Sequence, residues 1–200
     1  MNRRPTSRRK RVKHYDDPGH VRELTFSCYR RLPLLCNDAC RRLLAEALDR
    51  AVDRHRYRLV AYVFMPEHVH LIVYPLSGAP GVSDLLRAIK RPSSFRIKKL
   101  LQQDGSPLLA KLTIRQRPGV MSFRFWQEGP GYDRNLTEVK TTTSAIDYLH
   151  LNPVRRGLVK RAIDWQWSSA RWYANEQETT ALMIPTVHGL PADWLGDVQS

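Results

Sequence analysis

Two clusters of side chains in this 200-residue chain have the types and spacing to do chemistry. The first is Pro66-Glu67-His68-Val69-His70-Leu71-Ile72-Val73. Along an extended strand side chains alternate, so His68 and His70 share one face while Val69, Leu71 and Val73 take the other. Two imidazoles about 7 Å apart along a strand can converge on one ion, each offering a neutral nitrogen lone pair. The competing reading is a pair of histidines on the open face of a sheet. Glu67 alternates to the opposite side and is not counted as a ligand.

The second cluster is Ile146-Asp147-Tyr148-Leu149-His150-Leu151-Asn152. On a helix, positions 148 and 152 are one turn apart and share a face. A phenol can attack phosphorus, but its ordinary pKa of roughly 10 keeps it protonated at neutral pH. A divalent cation nearby would polarise a phosphate and steady the leaving oxygen. The amide oxygen of Asn152 can complete a ligand set with the histidines. The plainer alternative makes Tyr148 a core aromatic and Asn152 the helix stop before Pro153. His150 points elsewhere on the helix and receives no role.

The elements that must position these groups follow from patterning. Residues 21–29 read as a strand, with Leu24, Phe26 and Cys28 alternating inward. A helix capped by Asn37 or Asp38 runs to about residue 55, with Cys40, Leu43, Leu44, Ala47, Leu48 and Ala51 as its apolar stripe and Arg41 on or beside the polar face. Strands at 57–65 and 68–74 form a hairpin. A helix begins at Ser83, is interrupted at Pro92 and restarts at Ser93 or Ser94. Residues 103–119 read mostly as connector, 123–127 and 131–138 as extended, and 141–151 as a helix. This β-α-β-β-α-β order plus a helix predicts an α+β fold: a ferredoxin-like (RRM-like) split βαβ antiparallel sheet, helices on one face, and an extra C-terminal helix carrying Tyr148. The expected organisation is a disordered basic arm over 1–20, a functional domain over 21–155, and a tail over 156–200 packing on or extending it.

The chain carries 33 Lys and Arg against 19 Asp and Glu, a formal charge of +14, which suits a polyanionic partner. Candidate phosphate contacts are Arg8, Arg9, Lys10 and Arg11 in the arm, Lys90, Arg91, Arg96, Lys98 and Lys99 on one helix face, and Arg155 with Arg156. A solvated basic face is the alternative. Trp126, Trp165, Trp167 and Trp172 either stack on unpaired bases or pack internally. Three cysteines without a CxxC pair fit neither a disulfide framework nor a zinc ribbon. With no apolar leader, no lipidation motif and an apolar run at 59–65 far too short to span a bilayer, a cytoplasmic protein without membrane contact is expected.

Four blocks, MPEHVHLIVYP, FWQEGPGYDRNL, AIDYLHLNPVRRGLV and DWQWSSARWY, together resemble the single-tyrosine HUH transposases, above all the REP-associated tyrosine transposases and their insertion-sequence relatives. The resemblance runs from about residue 21 to 173. It implies Mg²⁺ or Mn²⁺ on His68 and His70, Tyr148 as nucleophile and Asn152 as third ligand. It also implies attack on single-stranded, hairpin-containing DNA to give a 5′-phosphotyrosyl enzyme and a free 3′-OH, in transposition or the processing of repeated palindromic elements. Two histidines and an amide are a soft set for Mg²⁺, so phosphate oxygens and water must complete the shell, and Mn²⁺ suits it at least as well. Whether the chain acts as a homodimer is left open. The alternative class is a non-catalytic single-stranded nucleic-acid-binding module of ferredoxin-like topology. RNA-recognition modules of that topology show an aromatic-rich strand where this chain shows histidines. Replication initiators and relaxases share the chemistry, but the motif blocks and the lack of a helicase region weigh against them.

Overall fold

The computed structural model describes residues 19–129, 131–174 and 185–195. Four strands form the main sheet: β1 (Val21–Ser27), β2 (Tyr57–Phe64), β3 (His68–Pro75) and β6 (Tyr132–Leu136). Their order is β2-β3-β1-β6 and every neighbouring pair is antiparallel. The fold is therefore α+β with an antiparallel sheet, as the patterning predicts. The arm residues Arg8, Arg9, Lys10 and Arg11 lie outside the described residues.

Alternation divides the core in two. Leu24 and Phe26 of β1 and Val69, Leu71 and Val73 of β3 point into one layer, with α1 (Asp38–Arg54) and α2 (Val82–Gln103). Val21 and Ile72 point the other way, against Ala145, Ile146 and Leu149 of α4 (Val139–His150). A bulge between Leu59 and Ala61 breaks the phase of β2, so the consecutive residues Val60 and Ala61 both join the α4 side. The free edge of β2 is covered by the tail: Phe64 N–H donates to Trp167 O at 2.8 Å and Ser169 N–H to Tyr62 O at 3.0 Å.

One helix boundary follows from a local capping signal, and α2 begins at Val82, one residue before the expected Ser83 and without a side-chain cap. The Asn37 side chain accepts from Ala39 and Cys40 N–H and caps α1, as its residue type predicts. The expected break at Pro92 does not occur, and α2 runs unbroken through it. Pro92 lies on the exposed side, where water can reach the carbonyl that loses its N–H partner, and the Ser93 hydroxyl donates to Ile89 O at 2.7 Å. Nor is 103–119 a connector. It holds a short helix, α3 (Leu108–Leu112), and β4 (Thr113–Arg117), which pairs with β5 (Val120–Phe123) in a separate two-stranded ribbon. Arg41 is buried rather than polar-facing. It pairs with Asp38 at 2.9 Å and lies over Trp165 and Trp167. Among the described residues, no helix is long and apolar enough to cross a membrane.

Candidate active site

The two histidines emerge from β3 between hydrogen-bonded neighbours on both sides, on the sheet face that α4 partly covers. Register sets His70 opposite Thr25 and His68 opposite Ser27 of β1. The Nε2 atoms of His68 and His70 stand 2.8 Å apart. Thr25 Oγ1 lies 2.7 Å from His70 Nδ1, and in the tautomer where it accepts that N–H the Nε2 lone pair is turned toward His68. Burial, then the charges near it, pushes the His70 pKa down to about 4, so the ring is neutral at physiological pH. Burial likewise lowers His68.

This geometry suits a divalent ion. Two ligands about 2.1 Å from one ion and at right angles to it lie roughly 3 Å apart, close to the separation of the two Nε2 atoms. Among the described residues, no three His, Cys, Asp or Glu side chains group to hold a metal. Further donors to such an ion would be amide, phosphate or water oxygens.

Glu67 belongs to the site after all. The tight Pro66-Glu67 connection lies outside the regular strand, so the alternation that would send it to the far face does not apply. Its buried carboxylate accepts from Arg156 at 2.7 Å and from Arg31 at 3.4 Å, and sits 3.2 Å from His68 Nδ1. That last contact is off the N–H direction, so it acts as charge against dipole more than as an aligned hydrogen bond. Burial alone would raise the Glu67 pKa, but the Arg156 hydrogen bond together with His68 and Arg156 charge holds it below the usual value.

Tyr148 is not a core aromatic. It is 52% exposed and lines a cleft of about 560 Å³ with His70, Thr25, Tyr132 and Arg134. The floor is a row across three strands, Tyr132 beside Thr25 beside His70, and Thr141, Ser144 and Ala145 of α4 form the wall. Gly131 makes this row possible: its φ is +79°, and a Cβ there would come within 2.1 Å of Thr25 O. The Arg155 guanidinium lies 4.2 Å from the Tyr148 ring centroid.

Asn152 does not line this cleft. Its amide nitrogen donates to Tyr148 O and Leu149 O, both at 3.1 Å, at the junction of α4 with the short α5 (Asn152–Arg155). Arg156, immediately after α5, reaches Glu67 and so ties this junction to the histidine strand. His150 is buried, and its Nε2 lies 2.7 Å from Ser169 Oγ, a packing role.

The expected phosphate contacts divide by location. Arg155 lies against the Tyr148 ring and Arg156 on Glu67 beside His68, whereas α2 lies across the sheet from the tyrosine cleft. On α2, Arg96 pairs with Glu46 at 2.5 Å, and Lys90 is partly buried, donating to Gly129 O at 3.2 Å. Arg91, Lys98 and Lys99 remain open or half-open to solvent. The tryptophans pack more than they present. Trp126 and Trp167 are buried in the α1/α2 layer, and Trp126 donates to Ser93 Oγ at 3.1 Å. Thr25, Tyr132, Arg134 and Glu67 escape sequence reasoning because strand register and connection geometry bring them in; the FWQEGPGYDRNL block is the one signal pointing at Tyr132 and Arg134.

The chain is similar to known proteins over much of its length. Residues 20–110, which carry both histidines, match the family model described as IS200-like transposase. The chain is 24% identical over 159 residues to the REP-associated tyrosine transposase of Escherichia coli (strain K12), spanning 78% of this chain and 73% of that protein. Its fold superposes on a solved REP-associated tyrosine transposase bound to a REP hairpin with a TM-score of 0.63 at 21% identity, over 92% of this chain and 96% of that one. The histidine-bearing region thus resembles the IS200-like transposases, and similarity to the REP-associated tyrosine transposases extends over most of the chain.

Proposed function

We propose that this chain nicks and rejoins single-stranded DNA with Tyr148 as the nucleophile, on substrates that contain a hairpin. The observation that carries the reading is the exposed Tyr148 phenol sharing one cleft with His70. The hairpin part rests on the likeness to a transposase solved with a REP hairpin.

In the first step the phenol oxygen attacks a phosphodiester phosphorus. The bond to the 3′ oxygen breaks, that oxygen takes up a proton as a free 3′-OH, and the downstream strand stays on Tyr148 through its 5′ phosphate. In the second step a different 3′-OH attacks the same phosphorus and the phenol leaves. One ester replaces another each time, so neither step consumes an external energy source. His68 and His70, with the amide oxygen of Asn152, would hold Mg²⁺ or Mn²⁺, whose charge polarises the phosphate under attack. Thr25 sets the tautomer of His70, Glu67 steadies His68, and Arg155 and Arg156 meet the phosphates on either side of the break.

The test is incubation with 5′-labelled and 3′-labelled single-stranded hairpins plus Mn²⁺, followed by denaturing gels. Adducts carrying only the 3′ label, absent from Tyr148→Phe, support the reading. A wild-type protein that binds these DNAs and never forms an SDS-stable adduct overturns it in favour of a pure binding module.

A further inference from the structure

A second cleft, of about 590 Å³, opens between α2 and the stretch 122–128, which includes the end of β5. Its walls include Lys90, Arg91, Lys98 and Arg124, against a single carboxylate, Glu128, which pairs with Arg124. Phe95 also lines it, and at 58% exposed it is among the most open large apolar side chains described. Phe95 stands on the open, cation-rich face of α2 and not in its buried stripe. Lys99, outside the cleft, holds its ammonium 4.8 Å from the Phe95 ring centroid, which steadies the ring by cation–π attraction.

An aromatic face bordered by cations is the arrangement that accepts an unpaired nucleotide: the ring stacks with the base and the cations take the phosphates. A carboxylate-rich or purely apolar partner would leave one half of this surface unmatched. Location adds a second argument. The cleft and the histidine pair lie on opposite faces of the sheet at the same end of β1, where Phe26 faces Lys90 at 5.0 Å and Ser27 pairs with His68. At this end of the sheet Lys90, which lines the cleft, donates to Gly129 O, and Gly131 lies against Thr25 on the tyrosine side. A strand lying in the second cleft would round this end of the sheet to reach the tyrosine.

We infer that this cleft is a base-stacking site for an unpaired nucleotide of the DNA substrate, away from the scissile phosphate, with Phe95 as the platform and Arg91 and Lys98 as the phosphate contacts. This rests on single-stranded DNA being the substrate, but not on Tyr148 being a nucleophile.

The experiment measures equilibrium binding in the Tyr148→Phe background, where covalent trapping cannot inflate affinity. The probes are fluorescein-labelled DNA hairpins with single-stranded flanks, each flank nucleotide made abasic in turn. Phe95→Ala is expected to weaken binding about tenfold and Phe95→Trp to restore it. One abasic position should cost the Phe95 protein about as much and cost Phe95→Ala nothing further. Because Phe95 is exposed, an unchanged melting temperature verifies that the variant is folded. Equal affinity for Phe95 and Phe95→Ala overturns the inference. So does a loss seen only in Arg91→Ala and Lys98→Ala, which would make the cleft a phosphate track without a base pocket. Absence of any adduct from wild type would refute the strand-transfer reading and leave these binding results standing.

Discussion

Tyr148 and His70 line one cleft although the first rides a surface helix and the second an interior strand. A second open tyrosine, Tyr132, lines the same cleft at 51% exposure, so the nucleophile must be identified directly. After trypsin digestion of the DNA adduct, the modified peptide is expected to be 141–155, which holds Tyr148, and not 125–134, which holds Tyr132. Mass spectrometry finding the nucleotide on 125–134 would move the chemistry to Tyr132.

The converging imidazoles predict a metal-linked change in stability. An ion bound only by the folded state at a hundred times its Kd adds about 2.7 kcal/mol, roughly 5–10 °C in Tm for a protein of this size. Mn²⁺ should raise the melting temperature of the DNA-free protein by up to that amount, and EDTA should reverse it. His68→Ala should abolish the response. A full Mn²⁺ shift in that variant removes His68 from the ligand set.

Glu67 joins His68 to the arginine that follows α5, so its charge has two effects. Glu67→Gln keeps the shape and loses the charge. It should cost about 1–2 kcal/mol of stability through a weaker hold on the half-exposed Arg156, and roughly tenfold in Mn²⁺ affinity through a less steady His68. Denaturant midpoints and metal titrations read the two effects separately; wild-type metal affinity in the variant would reduce Glu67 to a fold contact.

Burial pushes the His150 pKa from 6.5 to about 4. Between those values the unfolded chain binds a proton that the native chain refuses, so stability falls as pH drops from about 6.5 to 4. For His150 the full loss is about 3 kcal/mol. His70 is lowered by a similar amount and adds to the slope with the same sign. His150→Gln, which can still bond Ser169, should flatten the pH dependence of the urea midpoint without levelling it. An unchanged slope would mean that His150 is not neutral in the native state.

Much of this was legible in the residues alone. The alternation of His68 and His70 against Val69, Leu71 and Val73 is local, and the structure keeps it. Asn37 capping α1 is equally local. The misreadings have long-range or boundary causes. Glu67 was misplaced because strand periodicity was extended into a turn. Pro92 was given a break because its exposure was unknown. The α2 cations looked like one DNA-facing stripe, yet Arg96 is claimed by Glu46 of another helix and Lys90 by a loop carbonyl. The row of Tyr132, Thr25 and His70 depends on register between strands far apart in the chain, which no single segment encodes.

The histidines stand on a strand braced from both flanks, while the phenol stands on a helix packed from one side only. On the proposed chemistry, mechanical compliance would thus be assigned unequally, with the metal-holding half on the firmer mounting and the attacking phenol on the looser one. Substitutions along the outer surface of α4 would then retune where the phenol reaches without disturbing the histidine strand. Diversification among descendants of such a chain should therefore concentrate on that helix and the loops beside it.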